Sequence, residues 1–191
     1  AILDGFKVIA GNADDGASDG GGFYNEGGSP TLTNIIFGGN KAAAHGGGVF
    51  NEDGSPTLTN VTFTGNMASG GRGGGMANFR SNPTLINAVF LGNGALHGGG
   101  MANVESFPTL TNCTFSGNSA TAGDGIYNSS SSNPSLRNCI LWANGRQEIF
   151  NYDSSIATVV DGIVQGGYGG GTNVLDVNPD FISPVSGPSP A

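Results

Sequence analysis

A parallel β-solenoid is the fold class this 191-residue sequence predicts, on three observations: a phrase that recurs at a near-constant interval, no helical periodicity, and asparagines that return in phase. Self-similarity at a period of roughly 20 to 50 residues marks chains that stack one small unit on the next. Pro-Thr-Leu begins at Pro30, Pro56, Pro83 and Pro108 and becomes Pro-Ser-Leu at Pro134, in steps of 26, 27, 25 and 26. Phe-x-x-Asn keeps the same beat at Phe37/Asn40, Phe63/Asn66, Phe90/Asn93 and Phe115/Asn118, with worn copies at Ile9/Asn12 and Leu141/Asn144. Gly triplets at 20–22, 46–48, 73–75 and 98–100, and Gly-Asp-Gly at 123–125, fall into step. Five good copies and two worn ones predict about seven coils over residues 1–168. The Gly- and Pro-rich stretch 169–191 is a tail that either caps its own rod or reaches another chain.

Within one copy, the period of two assigns the faces. In Val49-Phe50-Asn51, Val49 and Asn51 share one face and Phe50 takes the other; in Thr57-Leu58-Thr59 the Leu opposes both Thr. After a bend at Asn60, Val61 and Phe63 point together. With Val49, Leu58, Val61 and Phe63 inward, one copy makes three short strands around a small apolar core. Stacked about 4.8 Å apart, seven coils form a rod roughly 34 Å long. No window supplies the apolar stripe that a helix needs.

Stacking puts like on like, and Asn suits such columns because its amide bonds to the Asn one rung away. Three columns emerge: Asn25, Asn51, Asn78, Asn103 and Asn128; Asn34, Asn60, Asn87, Asn112 and Asn138; and Asn40, Asn66, Asn93, Asn118 and Asn144. All read as scaffold. Cys113 and Cys139 are separated by the same step as Leu110 and Leu136, which places them at one inward position in adjacent coils. Such spacing permits a disulfide, although parallel side chains point alongside each other; a pair of small buried hydrophobes is the other reading.

The Gly-Gly-hydrophobe and Phe-x-x-Asn motifs resemble the repeats of the chlamydial polymorphic outer-membrane protein family and related bacterial right-handed parallel β-helix repeat proteins. The resemblance covers most of the chain and recurs five times. It implies a right-handed coil and a secreted or cell-surface protein of adhesive or structural role. The chain departs from that family where a third Gly replaces its frequent Ala and in having no C-terminal autotransporter barrel, so anchoring in a membrane through this chain is not expected.

Composition narrows the function classes. A net charge of −8 with only 6 Lys and Arg leaves no basic footprint for nucleic acid. No run of about 18 apolar residues is present to span a membrane, and the opening Ala1-Ile2-Leu3-Asp4 reads as strand and not as a secretory leader.

Many parallel β-helices cleave polysaccharides, so the fold leaves a lyase or glycosidase open. The six cations, Lys7, Lys41, Arg72, Arg80, Arg137 and Arg146, form no obvious cluster beside an acidic face, which argues against a lyase. Glu26 and Glu52 hold equivalent turn positions one coil apart, beside Asp53, where a retaining glycosidase pair or a cation site would fit; solvated turn charges are the plainer reading. Asp14, Asp15 and Asp19 form a second acidic group that suits loose Ca²⁺ binding, although their spacing matches no established loop. No other cofactor is expected. His45 and His97, with Arg72 between them, read as surface turn residues too far apart to share a metal.

Two outward columns carry binding hypotheses. Thr31, Thr33, Thr57, Thr59, Thr84, Thr109 and Thr111 form a Thr-x-Thr array like the ice-binding faces of β-helical antifreeze proteins, interrupted by Ile86, Ser135 and Arg137. Tyr24, Phe50, Tyr127 and Phe150 flank an alanine-lined middle, a surface for sugar rings or a neighbouring molecule. An uncapped coil end is an open sheet edge; head meeting tail would build a fibre. The leading expectation is a non-catalytic extracellular structural or adhesive β-helix that self-assembles head-to-tail, with glycan or ice binding as the second class and a carbohydrate-active enzyme as the third.

Overall fold

The computed structural model of the chain describes residues 1–15 and 18–181. Its described residues form short strands and no helix. Every ladder is parallel, and six complete coils stack on the third face, close to the seven expected.

Each coil presents three main faces. Thr31–Thr33, Thr57–Thr59, Thr84–Ile86 and Thr109–Thr111 stack in the first, residue for residue. Ile36–Gly38, Thr62–Thr64, Val89–Leu91 and Thr114–Ser116 stack in the second. Val49–Glu52, Met76–Phe79, Met101–Val104 and Ile126–Ser129 stack in the third. A shorter fourth ladder, not foreseen from the sequence, joins Asn12–Ala13, Lys41–Ala42, Met67–Arg72 and Gly94–His97 in the turns between the second and third faces.

The corner between the first two faces is made by Asn34, Asn60, Asn87, Asn112 and Asn138, all left-handed with φ between 52° and 56°. Asn is the non-glycine residue that enters this region most easily, because its short polar side chain finds a local hydrogen bond. The bend reverses side-chain phase and lets residues on either side of it both face inward. Leu32, Leu58, Leu85, Leu110 and Leu136 fill the first face's inner column, and Phe37, Phe63, Phe90 and Phe115 the second's, all essentially fully buried. The Phe rings stack at 5.3, 4.5 and 4.4 Å with interplanar angles of 13° or less. Each buried ring stabilises the rod by about 2–3 kcal/mol relative to exposure.

The Gly triplets answer two demands. Gly46, Gly73 and Gly98 open them at φ of +65° to +69°. Their last members then pass so close to the next coil that side chains are excluded: a Cβ on Gly75 or Gly100 would lie 2.6 Å from the carbonyl oxygen of Gly100 or Gly125.

The rod tapers at its C-terminal end. Leu110, Leu136 and Val159 are register partners one full turn apart, but the next partner of Val159 is Gly171, barely half a turn further along the chain. Thr158–Val164 runs through one corner, pairing with both Ser135–Arg137 and Ile140–Trp142. Gly171–Leu175 then lies directly on it, and Val174 packs against the core. This capping strand sits just beyond the expected boundary at residue 168, on its own rod; residues 182–191, the Pro-rich end of the expected tail, lie outside the described residues.

Candidate functional site

The three Asn columns are continuous amide ladders, and each ends at its donor end on an acceptor of another kind. In the buried ladder, Asn40, Asn66, Asn93 and Asn118 donate Nδ2 to Oδ1 of the next Asn at 2.7–2.9 Å, and to the Val8, Phe37, Phe63 and Phe90 carbonyls at 2.9–3.0 Å. Asn144 closes it by donating Nδ2 to the Glu148 carboxylate. On the third face, Asn25 through Asn128 donate onward to Asn151, a rung that the repeat spacing did not flag, and Asn151 donates to the Tyr168 hydroxyl at 2.8 Å. The exposed corner ladder runs the other way, from Asn138 to Asn34, which donates to Asp4 at 2.9 Å.

The acidic candidates are held by the scaffold. Glu26 and Glu52 are register partners, as expected. Arg80, one coil further, donates to Glu52 at 2.6 Å and to both oxygens of Asp53 at 2.8 and 3.1 Å. The hydrogen bonds from Arg80 keep the Asp53 carboxyl below its usual range. Asp14 accepts from Asn12 Nδ2 at 2.6 Å, the Asp15 carbonyl from Ser18 Oγ at 3.0 Å, and Asp19 from the His45 N–H at 2.8 Å. Among the described residues, no group of three or more His, Cys, Asp and Glu side chains is placed to hold a metal ion.

Two buried carboxyl groups lie where the sequence offered no signal. Asp124 accepts from the N–H groups of Ala120, Arg146 and Gln147 at 2.7–2.9 Å and pins the short turn of the sixth coil. Glu148 is 7% exposed, and burial pushes its carboxyl up to about 7. Both belong to turn chemistry. Glu148 also lines an open notch of about 400 Å³ with Gln147, Gln165 and Tyr168, formed where the coil narrows.

The aromatic column is open at its ends, where Tyr24 is 48% exposed and Phe150 half-buried, and closed in between. Tyr24, Phe50, Tyr127 and Phe150 do occupy one outward column, with Ala77 and Ala102 between them. Yet Phe50 is 3% and Tyr127 6% exposed, and the two alanines are fully buried. The Gly-rich turns fold over this face. His45 stacks on Phe50 and tilts over Phe79, at 6.2 and 4.9 Å, and His97 stacks on Tyr127 at 5.0 Å. The histidines are therefore lids on the aromatic column and not free turn residues. His45 Nδ1 accepts from the Arg72 N–H at 3.0 Å, and Arg72 is the register partner of His97. Burial, then the neighbouring guanidinium, lowers the His97 pKa; burial is also the main cause at His45, where Asp19 opposes it.

The Thr residues stack in register on the first face as expected, with Ile86 among the second column's rungs and Ser135 and Arg137 interrupting the columns. Thr158 restores the first column beyond Ser135. Cys113 and Cys139 lie in adjacent coils as two buried free thiols. Hydrogen bonding with Cys139 and burial hold the Cys113 thiol well above its usual range.

The family model described as right handed beta helix region matches residues 20–181, which gives the coil the hand that its repeats implied. No curated protein and no solved structure matches the chain.

Proposed function

The chain belongs to the right-handed β-helix family, and we propose that it works outside the cell as a non-catalytic structural or adhesive rod. The observation that carries this reading is the use made of its carboxylates. Glu52 and Asp53 are held by Arg80, Asp124 by three backbone N–H groups and Glu148 by Asn144. A glycosidase needs one carboxyl group free to protonate a leaving group and another facing the same sugar; Glu52, half of the sequence's best pair, is tied to Asp53 through a guanidinium instead. The fold alone serves enzymes and binders alike, so these side chains carry the weight. The extracellular placement is our reading of the Gly-Gly-hydrophobe and Phe-x-x-Asn motifs, whose resemblance to the chlamydial polymorphic outer-membrane repeats rests on the sequence alone. No helix among the described residues is long and apolar enough to cross a membrane.

Head-to-tail fibre formation is the sharper form of this reading. The shortened last turn weighs against it, because a narrow coil offers little edge for a full-width first coil to continue. Adhesion through the sides of the rod is the form we propose. The test is retention on immobilised glycans and on cell surfaces, with negative-stain microscopy of the same sample: retention by single rods is expected. Long filaments would restore axial assembly, and no retention on any surface would remove the adhesive role.

A further inference from the structure

The chain carries 14 acidic and 6 basic residues, yet one edge of the rod runs against that balance. The turns at 41–48, 67–76 and 94–101, stacked on one another between the second and third faces, contain no carboxylate side chain. They hold Lys41 and Arg72, two of the six cations, and both histidines of the chain. His45, Arg72 and His97 stand on successive rungs at the mid-length of the solenoid, so the edge does not depend on either end of the rod. Neither Lys41 nor Arg72 has an ion-pair partner among the described residues; the three ion pairs there engage only Arg80 and Arg137. Arg72 Nε and His97 Nδ1 are both buried without a hydrogen-bond partner. The surrounding side chains are uncharged: Ser69, Leu96 and Thr121 are exposed beside them. Carboxylates lie on the rungs to either side: Asp14, Asp15 and Asp19 in the turn stacked on 41–48, where Asp19 accepts from the His45 N–H and Asp14 borders the depression beside Lys41, and the buried Asp124 in the turn stacked on 94–101.

We propose that this edge is a binding strip for an anionic polysaccharide, whose carboxylates or sulfates would meet Arg72, with His45 and His97 one rung to either side and Lys41 at the start of the His45 turn. Two physical features select that class. Three polar side chains on successive rungs about 4.8 Å apart along a straight rod, with the cation Arg72 in the middle, suit an extended polymer better than a compact ligand. A planar guanidinium with no internal ion-pair partner is the side chain best shaped to clasp a carboxylate or sulfate. The inference rests on the adhesive reading and gives it a ligand class.

Affinity electrophoresis of the whole chain tests it, in native gels cast with dextran sulfate, polygalacturonate or neutral dextran. Retardation by at least one charged polymer and not by neutral dextran is expected, weakening with salt and falling at least tenfold in apparent affinity for Arg72→Gln. Arg72→Lys should retain part of the binding, and circular dichroism should report an unchanged fold for both variants. Which charged polymer retards more separates sulfate from carboxylate recognition. Equal retardation of wild type and Arg72→Gln, or none in either charged gel, overturns the inference. Retardation by neutral dextran that Arg72→Gln leaves unchanged would also overturn it while leaving the adhesive reading standing.

Discussion

Asn144 hands the end of the buried amide ladder to Glu148: its Nδ2 donates to one carboxylate oxygen and its backbone N–H to the other at 3.3 Å. Every amide of that ladder donates one Nδ2 hydrogen toward the C-terminal end, so its side-chain dipoles add, and the Glu148 carboxyl supplies the acceptors at the donor end. The corner ladder has the opposite direction and ends on Asp4.

The pH dependence of stability follows from Glu148. Its folded pKa of about 7 exceeds the ordinary 4.5, so between those values the folded chain holds a proton that the unfolded chain has released. Stability from this group is full below pH 4.5 and is lost as pH rises through 7, a difference of about 3 kcal/mol. Glu148→Gln removes the buried charge and keeps an acceptor for Asn144. Urea titrations should find it more stable than wild type at pH 8 by about 1–3 kcal/mol and nearly equal at pH 4.5; a uniform loss at both pH values would refute the assignment.

A rung in the middle of the buried ladder should matter more than one at the corner. Asn93→Ala strands the Nδ2 and N–H of Asn66, which both donate to Asn93 Oδ1. The expected loss is about 3–5 kcal/mol, since buried donors are left unpaired. At the exposed corner, Asn87→Gly keeps the left-handed φ of 56° and should cost about 1 kcal/mol or less. Chemical denaturation of the two variants compares them directly.

Glycine's two roles separate by substitution. Gly100→Ala would set a Cβ 2.6 Å from the Gly125 carbonyl oxygen and 2.7 Å from the Phe115 ring; a cost of about 3 kcal/mol is expected. Gly27, at φ +66° with open space around it, should accept Asn with a change within about 0.5 kcal/mol. Equal thermal shifts for both would contradict the close-stacking account.

Cys113 and Cys139, both buried and free, should resist a thiol reagent in the native rod and titrate as two thiols once denatured. No labelling after denaturation would mean that they are bridged.

The repeat made much of this legible. Because stacking forces like residues into register, Pro-Thr-Leu and Phe-x-x-Asn placed the Leu and Phe columns, the corners and the Asn ladders from spacing alone. What escaped lies where one coil differs from its neighbours. Phe50 reads as exposed from strand alternation, and only the fold of the adjoining turn lays His45 over it. Glu148 sits in a turn shorter than its predecessors and takes the place of a further Asn. Thr158–Val164 lies beyond the last Pro-x-Leu copy, so no repeat spacing marks the bend at Asp161 by which it pairs with two faces and narrows the rod. Lys41, Arg72 and the histidines lie far apart in sequence, so their common edge emerges only on stacking.

Whether the carboxylates hold the rod or perform chemistry is decided most directly by incubating the chain with uronate, sulfated and neutral polysaccharides. New reducing ends and unsaturated sugar absorbance are followed over time, beside Glu52→Gln and Glu148→Gln. The expected result is no product from any of the three proteins, with Glu148→Gln altered only in its pH-dependent stability. Product formed by wild type and abolished by either substitution would contradict the non-catalytic reading.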